Sequence, residues 1–140
     1  MPIDDQGVFT HEFPVTADMI DRQKHVNNVV YVQWMQDVAI AHSEACGGYA
    51  AMEAEGGGWV ARSHRIEYLK PALEGDMIRA CTWVADATKV RSHRRYQFYR
   101  LADEALIARG ETDWVYVDAQ TGRPLPIPDS VRACYPLVER

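Results

Sequence analysis

The chain has 140 residues, enough for one domain that buries a sizeable core without disulfides or a structural metal. Its residues are 47% apolar and 25% charged, an ordinary globular balance, and the formal charge of −5 argues against a dedicated nucleic-acid binder, which carries a basic footprint. Cys46, Cys81 and Cys134 are odd in number and lack CxxC spacing, so they read as reduced, mostly packed thiols.

The N-terminal MPIDDQG has acids where a secretory leader would be basic, and no segment reaches the roughly 18 apolar residues of a membrane span. A cytoplasmic protein with no membrane partner is expected. No repeat, low-complexity tract or linker divides the chain, so residues 1–140 read as a single domain. A first strand is predicted over Val8 to Thr16, with Pro14 pointing to an edge or a bend. After a polar segment from Ala17 to Asn27, one helix is predicted from Val29 to Ala45. Val30, Trp34, Val38, Ala41 and Ala45 lie on one face, and Tyr31, Met35, Ala39 and Ile40 add apolar groups beside it. A helix this apolar belongs inside a sheet rather than on a wetted surface.

Gly47 and Gly48 mark its end, and GGYAAMEAEGGG holds a short helix between glycine hinges. From Trp59 the pattern is β. In DMIRACTWVAD, Ile78, Ala80, Thr82 and Val84 alternate with Met77, Arg79, Cys81 and Trp83; RRYQFYRL continues, with a hairpin expected at Asp103-Glu104. In ALIARGETDWVYV, Leu106, Ala108, Gly110, Thr112, Trp114 and Tyr116 share one face, while Arg109, Glu111 and Asp113 take the other. AQTGRPLPIP reads as a turn and proline-rich tail, then DSVRACY as a short helix capped by Asp129 or Ser130. One long helix cannot cover both faces of a sheet, so the economical packing is an α+β fold with a curled antiparallel sheet around it. Trp83 and Tyr99 on the opposite face suggest cover by a second subunit.

The stretch DRQKHVNNVVY, residues 21 to 31, sets an acid, a histidine and two asparagines ahead of that helix. Helix N-termini present unpartnered N–H groups and a partial positive charge, so beyond the group capped by Asn27 or Asn28 the others can hold a developing oxyanion. A carboxylate beside them, Asp21, can act as nucleophile or as general base for water, which suits ester or thioester hydrolysis. On spacing alone, Asp21 as a dipole counter-charge, His25 as a solvated loop residue and the asparagines as plain caps is the more ordinary reading, since caps are common.

DRQKHVNNVVY followed by VQWMQDVAIAH resembles the signature of hotdog-fold acyl thioesterases of the 4-hydroxybenzoyl-CoA thioesterase type, in which an Asp precedes a G-H-V-N-N-x-x-Y run entering the central helix. IEYLKPALEGDMI is similar to that family's Y-x-x-P-x-x-x-G-D strand entry, and DWVYVDAQTGRPLPIP to its closing strand, turn and proline tail. The three blocks fall in family order from about Val8 to Pro128. The resemblance implies a hotdog fold of about five strands around one helix, hydrolysing an acyl-CoA as a homodimer or homotetramer. Its active site is then shared between a helix end of one subunit and a pocket wall of the other. It matches Asp21 to the catalytic aspartate and Asn28 to the position whose backbone N–H polarises the thioester carbonyl. His25 matches the histidine of the run, also similar to the Asp-x-Asn-x-His run of plant acyl-carrier-protein thioesterases. Gln23 stands where that run has Asn; Gln23 and Asn27 are expected to contact substrate. Lys24 replaces the usual glycine, so the loop is expected to do without glycine's backbone freedom there.

His11, His25, His42, His64 and His93 show no metal-ligand spacing, no Gly-x-Ser-x-Gly elbow is present, and GGG at 56 to 58 lacks a P-loop lysine and reads as a hinge. No cofactor is expected beyond the coenzyme A of the substrate. The basic run KVRSHRR, 89 to 95, reads either as a solvated strand end or, through Arg91 and Arg94, as a seat for coenzyme A phosphates. Two other activities stay open: an acyl-carrier-protein thioesterase, and a non-catalytic acyl-CoA-binding module, against which the acid at Asp21 speaks.

Overall fold

The computed structural model describes residues 2–140. Five strands form one antiparallel sheet in the order β1-β3-β4-β5-β2: β1 (Phe9–Pro14), β2 (Gly57–Tyr68), β3 (Met77–Ala87), β4 (Arg91–Arg100) and β5 (Ala105–Asp118). The helix α1 (Asn28–Cys46) crosses the concave face, followed at once by α2 (Gly48–Ala54), with a last turn of helix, α3 (Asp129–Arg132), near the C-terminus. This is the hotdog arrangement.

Three register shifts let the sheet curl. The unpaired extra residues are Arg62 in β2, Ala85 in β3 and Ile107 in β5. Each bulge bends its strand and adds right-handed twist. The third also changes which side chains face inward. Phe98 pairs with Ala108 but Tyr99 with Leu106, so Ile107, not Leu106, joins Ala108 in the core.

The buried stripe of α1 is Tyr31, Trp34, Met35, Val38, Ala39 and His42. Compared with the stripe expected from sequence, the helix is turned so that Val30 and Ala41 sit at the border and Ala45 is exposed. Tyr31, Trp34, Phe13 and Phe98 make a chain of tilted and edge-on rings beneath it, with centroids 4.7–6.3 Å apart. The helix lies close over Gly110, where a Cβ would lie 3.0 Å from the sulfur of Met35 and 3.1 Å from the Arg65 carbonyl. Helix and sheet therefore meet here only because position 110 has no side chain.

Other expectations change in detail. Gly47 caps α1 in the left-handed region, as expected, but of the GGG run only Gly56 is a turn, while Gly57 and Gly58 open β2. The cap of α3 is Pro128, without a side-chain bond; Ser130 instead donates to Glu55 at 2.7 Å. Trp83, expected beneath a second subunit, is covered by the chain itself: Val8 and Val138 pack on it and the Arg140 guanidinium lies 5.0 Å from its ring centre.

Gly110→Val is expected to lower stability by about 1–3 kcal/mol, as overpacking does. Met35→Ala should cost about 2–5 kcal/mol alone, and the double variant should cost less than the sum, because the missing thioether leaves room for the added methyls. Urea unfolding midpoints of the four proteins check this.

Candidate active site

Ile20 and Val26 pair as a short antiparallel bridge, and the residues between them fold into a tight turn. The Asp21 N–H donates to the His25 carbonyl at 2.9 Å, and Lys24 N–H returns to the Asp21 carbonyl at 3.1 Å. The Asp21 carboxylate is part of that turn: Oδ1 accepts from the Gln23 N–H at 2.9 Å and, at 3.4 Å, from that of His25. Its second oxygen has no partner among the described residues. The imidazole of His25 and the amide of Gln23 are likewise free of side-chain hydrogen bonds, on an exposed rim.

The turn is fastened to its surroundings from both sides. Asn27 N–H donates to the Met19 carbonyl and Val26 N–H to that of Ala72, both at 2.9 Å. Ala72 is fully buried in the link between β2 and β3, so the second resemblance block holds the first in place. Asn27 is the N-cap: its side chain accepts from Val29 N–H at 3.0 Å and its carbonyl from Val30 N–H at 2.9 Å. The N–H of Asn28, first residue of α1, is left without a partner among the described residues. A carboxylate oxygen and a helix N-terminal donor, both uncommitted, thus belong to one eight-residue loop, 21 to 28.

Two residues of this site were not legible as such. Tyr68, at the end of β2, donates to the Asn28 carbonyl at 2.9 Å and packs edge-on against Tyr31, centroids 5.2 Å apart, so it pins the first helical turn. Lys24 has φ 69°, left-handed without being glycine. The loop keeps the glycine conformation with a lysine in it, contrary to the expectation from sequence.

Arg91 and Arg94 are not brought to this loop or to each other. Alternation along β4 turns Ser92, Arg94, Tyr96 and Phe98 inward and leaves Arg91 exposed. A single phosphate seat built from both arginines is thereby ruled out within the chain. Tyr31 beside the loop touches Phe98, and Arg91 lies seven residues farther along β4, roughly 23 Å away at the rise of a strand. Arg94 is buried; its Nη1 donates to His42 Nδ1 at 2.8 Å and to Thr82 Oγ1 at 3.1 Å. Burial, and secondarily the charge of Arg94, push the His42 pKa down from 6.5 to about 3, so the imidazole is a neutral acceptor. His93, the third histidine of interest, is clamped on the outer sheet face between Asp113 at 2.8 Å and Glu111 at 3.3 Å.

A cavity of about 250 Å³ opens between the far half of α1, α2 and the sheet, lined mainly by Ile40, Tyr49, Met52, Trp59, Trp114 and Tyr135. Ile40 lies twelve residues after Asn28, or about 18 Å along the helix, so the cavity and Asp21 of the same chain are well separated.

Comparison with known proteins settles the family. The profile of the thioesterase-like superfamily matches residues 15–134. The chain belongs to the thioesterase-like superfamily. Its chemistry is thioester hydrolysis. The fold is shared with a 1,4-dihydroxy-2-naphthoyl-CoA thioesterase from Synechocystis, at 18% identity and a TM-score of 0.81 over 91% of this chain and 95% of that one. A Staphylococcus aureus protein solved in complex with CoA aligns with TM-score 0.80 and 20% identity over 92% and 82% of the two chains. The 12:0-ACP thioesterase from Umbellularia californica does so with 0.82 and 17%, over 95% of this chain and 55% of that one. Among curated proteins, none matches this thioesterase-family chain in sequence.

Two predictions concern the site's construction. Lys24→Gly should raise stability by about 0.5–1 kcal/mol, the relief of a left-handed side chain less the added freedom of the unfolded chain. Lys24→Val should lower it, since a β-branched residue fits that region worst; urea midpoints read both. The His42 pKa is depressed on folding, so the unfolded chain takes up the proton first, and the resulting stability is full above pH 6.5 and falls as pH drops towards 3. By pH 5 about 2 kcal/mol should be lost from this group. His42→Gln, which keeps an acceptor for Arg94, should flatten that acid limb in denaturant titrations at pH 7, 6 and 5.

Proposed function

We propose that this thioesterase hydrolyses an acyl-CoA to the free acid and coenzyme A, with Asp21 as the reacting carboxylate. What carries the reading is the loop from 21 to 28, in which one Asp21 oxygen and the Asn28 N–H are both without partners among the described residues, at a helix N-terminus. As general base, Asp21 takes a proton from water while the new hydroxide bonds to the thioester carbon. As nucleophile, its oxygen bonds to that carbon and water later splits the acyl-aspartyl anhydride. In either course the carbonyl oxygen gains negative charge against the Asn28 N–H and the partial positive charge of the helix end. Collapse breaks the C–S bond, and the thiolate of coenzyme A takes up a proton. His25, unpartnered on the rim, can orient water or protonate the leaving thiolate, and the amide of Gln23 can meet the substrate beside it.

The reading includes a homodimer as the working unit, with a tetramer built from two such pairs. β2 has β5 on one edge only, and exposed Val60 and Tyr68 on it continue into exposed Val29 and Ile40 of α1. An antiparallel pairing of two β2 strands about a two-fold axis would set the Tyr68 end of one beside the Trp59 end of the other. Tyr68 holds the Asn28 turn and Trp59 lines the cavity, so Asp21 of one subunit would serve the cavity of its partner. Such a pairing would remove the separation found within a chain. Arg91, exposed, remains available to a coenzyme A phosphate as a single charge. Residues 1–140 would work as one domain in a reducing, cytoplasmic setting, which the three free cysteines suit.

Asp21→Asn should reduce turnover of acyl-CoAs by about two orders of magnitude or more, with an unchanged melting temperature. His25→Ala should lower kcat clearly with stability nearly unchanged. Free thiol released from short, long and aromatic acyl-CoAs, and from the matching acyl-carrier-protein thioesters, is the measurement. Unaltered turnover in folded Asp21→Asn would remove the proposed role. Efficient cleavage of carrier-protein esters alone would replace coenzyme A as the carrier.

A further inference from the structure

The cavity under α1 has mostly apolar walls suited to an acyl group, with the neutral polar Gln36, Ser43 and Ser92 among them and a single charged residue. Arg94 lines it, yet only 4% of the residue is exposed. Its Nη1 is committed to His42 and Thr82, while Nη2 and Nε make no hydrogen bond among the described residues. The ion pairs of the described residues all lie elsewhere, so no carboxylate neutralises this guanidinium. The titratable groups that feel its charge, His42, Cys46, Tyr96 and Tyr135, are held in their neutral forms by burial. Tyr135 adds only its ring face, 5.8 Å from the guanidinium carbon.

A buried, unpaired arginine is costly unless something meets it. The uncommitted Nε–Nη2 edge is the fork that binds a carboxylate through two parallel bonds. We propose that Arg94 seats an anionic group at the far end of the acyl chain, so that the preferred substrate is the mono-thioester of a dicarboxylic acid. The thioesterase reading supplies the coenzyme A end of this molecule; the seat itself stands on Arg94 and the cavity alone. At roughly 30 Å³ for each small group, the cavity holds on the order of eight heavy atoms. That is a short aliphatic chain with its carboxylate, or a benzene ring with one. A neutral acyl group of equal length would leave the guanidinium unpaired in an apolar slot, which is the strong form of discrimination.

The test compares kcat/KM for adipyl-CoA with hexanoyl-CoA, and for 4-carboxybenzoyl-CoA with 4-methylbenzoyl-CoA. A preference of about 10- to 100-fold for the acid in either pair is expected, the size of a charge-assisted hydrogen bond, and which pair shows it tells aliphatic from aromatic. In Arg94→Gln, which retains donors for His42 and Thr82, that ratio should fall towards one. Wild-type ratios near one in both pairs overturn the proposal without any variant. A preference that persists in folded Arg94→Gln overturns it too. Calorimetric binding of free adipate and terephthalate, against the neutral hexanamide and 4-methylbenzamide, reads the seat separately from catalysis. If no thioester is cleaved yet the diacids bind in wild type and lose affinity in Arg94→Gln, the seat stands and the acyl-CoA hydrolase reading fails. If the diacids bind no better than the neutral amides, the seat fails whatever the enzyme cleaves.

Discussion

One helix has to be enclosed by one sheet, and everything else in this protein is arranged around that constraint. The buried stripe of α1 runs from Tyr31 to His42, and a flat sheet could touch only part of it. The bulges at Arg62, Ala85 and Ile107 supply the curl, and Gly110 lets the helix settle against the strand behind it. Because the helix axis is fixed in this way, its first turn is fixed too. Tyr68 and the Asn27 cap then hold the turn at Asn28, whose N–H has no partner among the described residues.

The two functional ends of the helix solve opposite electrostatic problems. At the N-terminus the unpaired groups are near solvent, where an idle carboxylate or N–H costs little because water serves it. At the far end the unpaired group is a buried guanidinium, where water is largely excluded and neutral His42 and Thr82 satisfy only part of it. The first arrangement favours a reaction with water. The second favours recognition, since a charge with no internal partner discriminates strongly among what enters.

The outer face of the sheet is occupied differently. Its charged residues pair across strands, as in Arg109 with Glu67 and His93 with Asp113 and Glu111, while Trp83 and Cys81 are roofed by both chain termini. Such exposed pairs add little stability individually. They keep the long strands β4 and β5 wetted on one side and apolar on the other, which fixes their register against a one-residue slip.

By itself the sequence determined the class of fold and the order of elements, and it singled out the loop to which we assign the chemistry. Those rest on local rules: the period of apolar residues, glycine at helix ends, an acid and two asparagines before a helix, and the three blocks of family resemblance. Tertiary structure decided what depends on residues far apart in the chain. It rotated the buried stripe of α1, moved Ile107 inward at a bulge and covered Trp83 with the chain's own tail, none of which alternation can announce. It also separated Arg91 from Arg94, close neighbours in a basic run but on opposite faces of a strand whose side chains alternate. What gives Arg94 its meaning is the company of His42, 52 residues earlier in the chain, and of Thr82 on the adjacent strand, with the cavity they border. A charge reads as surface in a sequence because the rule for charges is solvation; only packing shows that this one has been taken out of water.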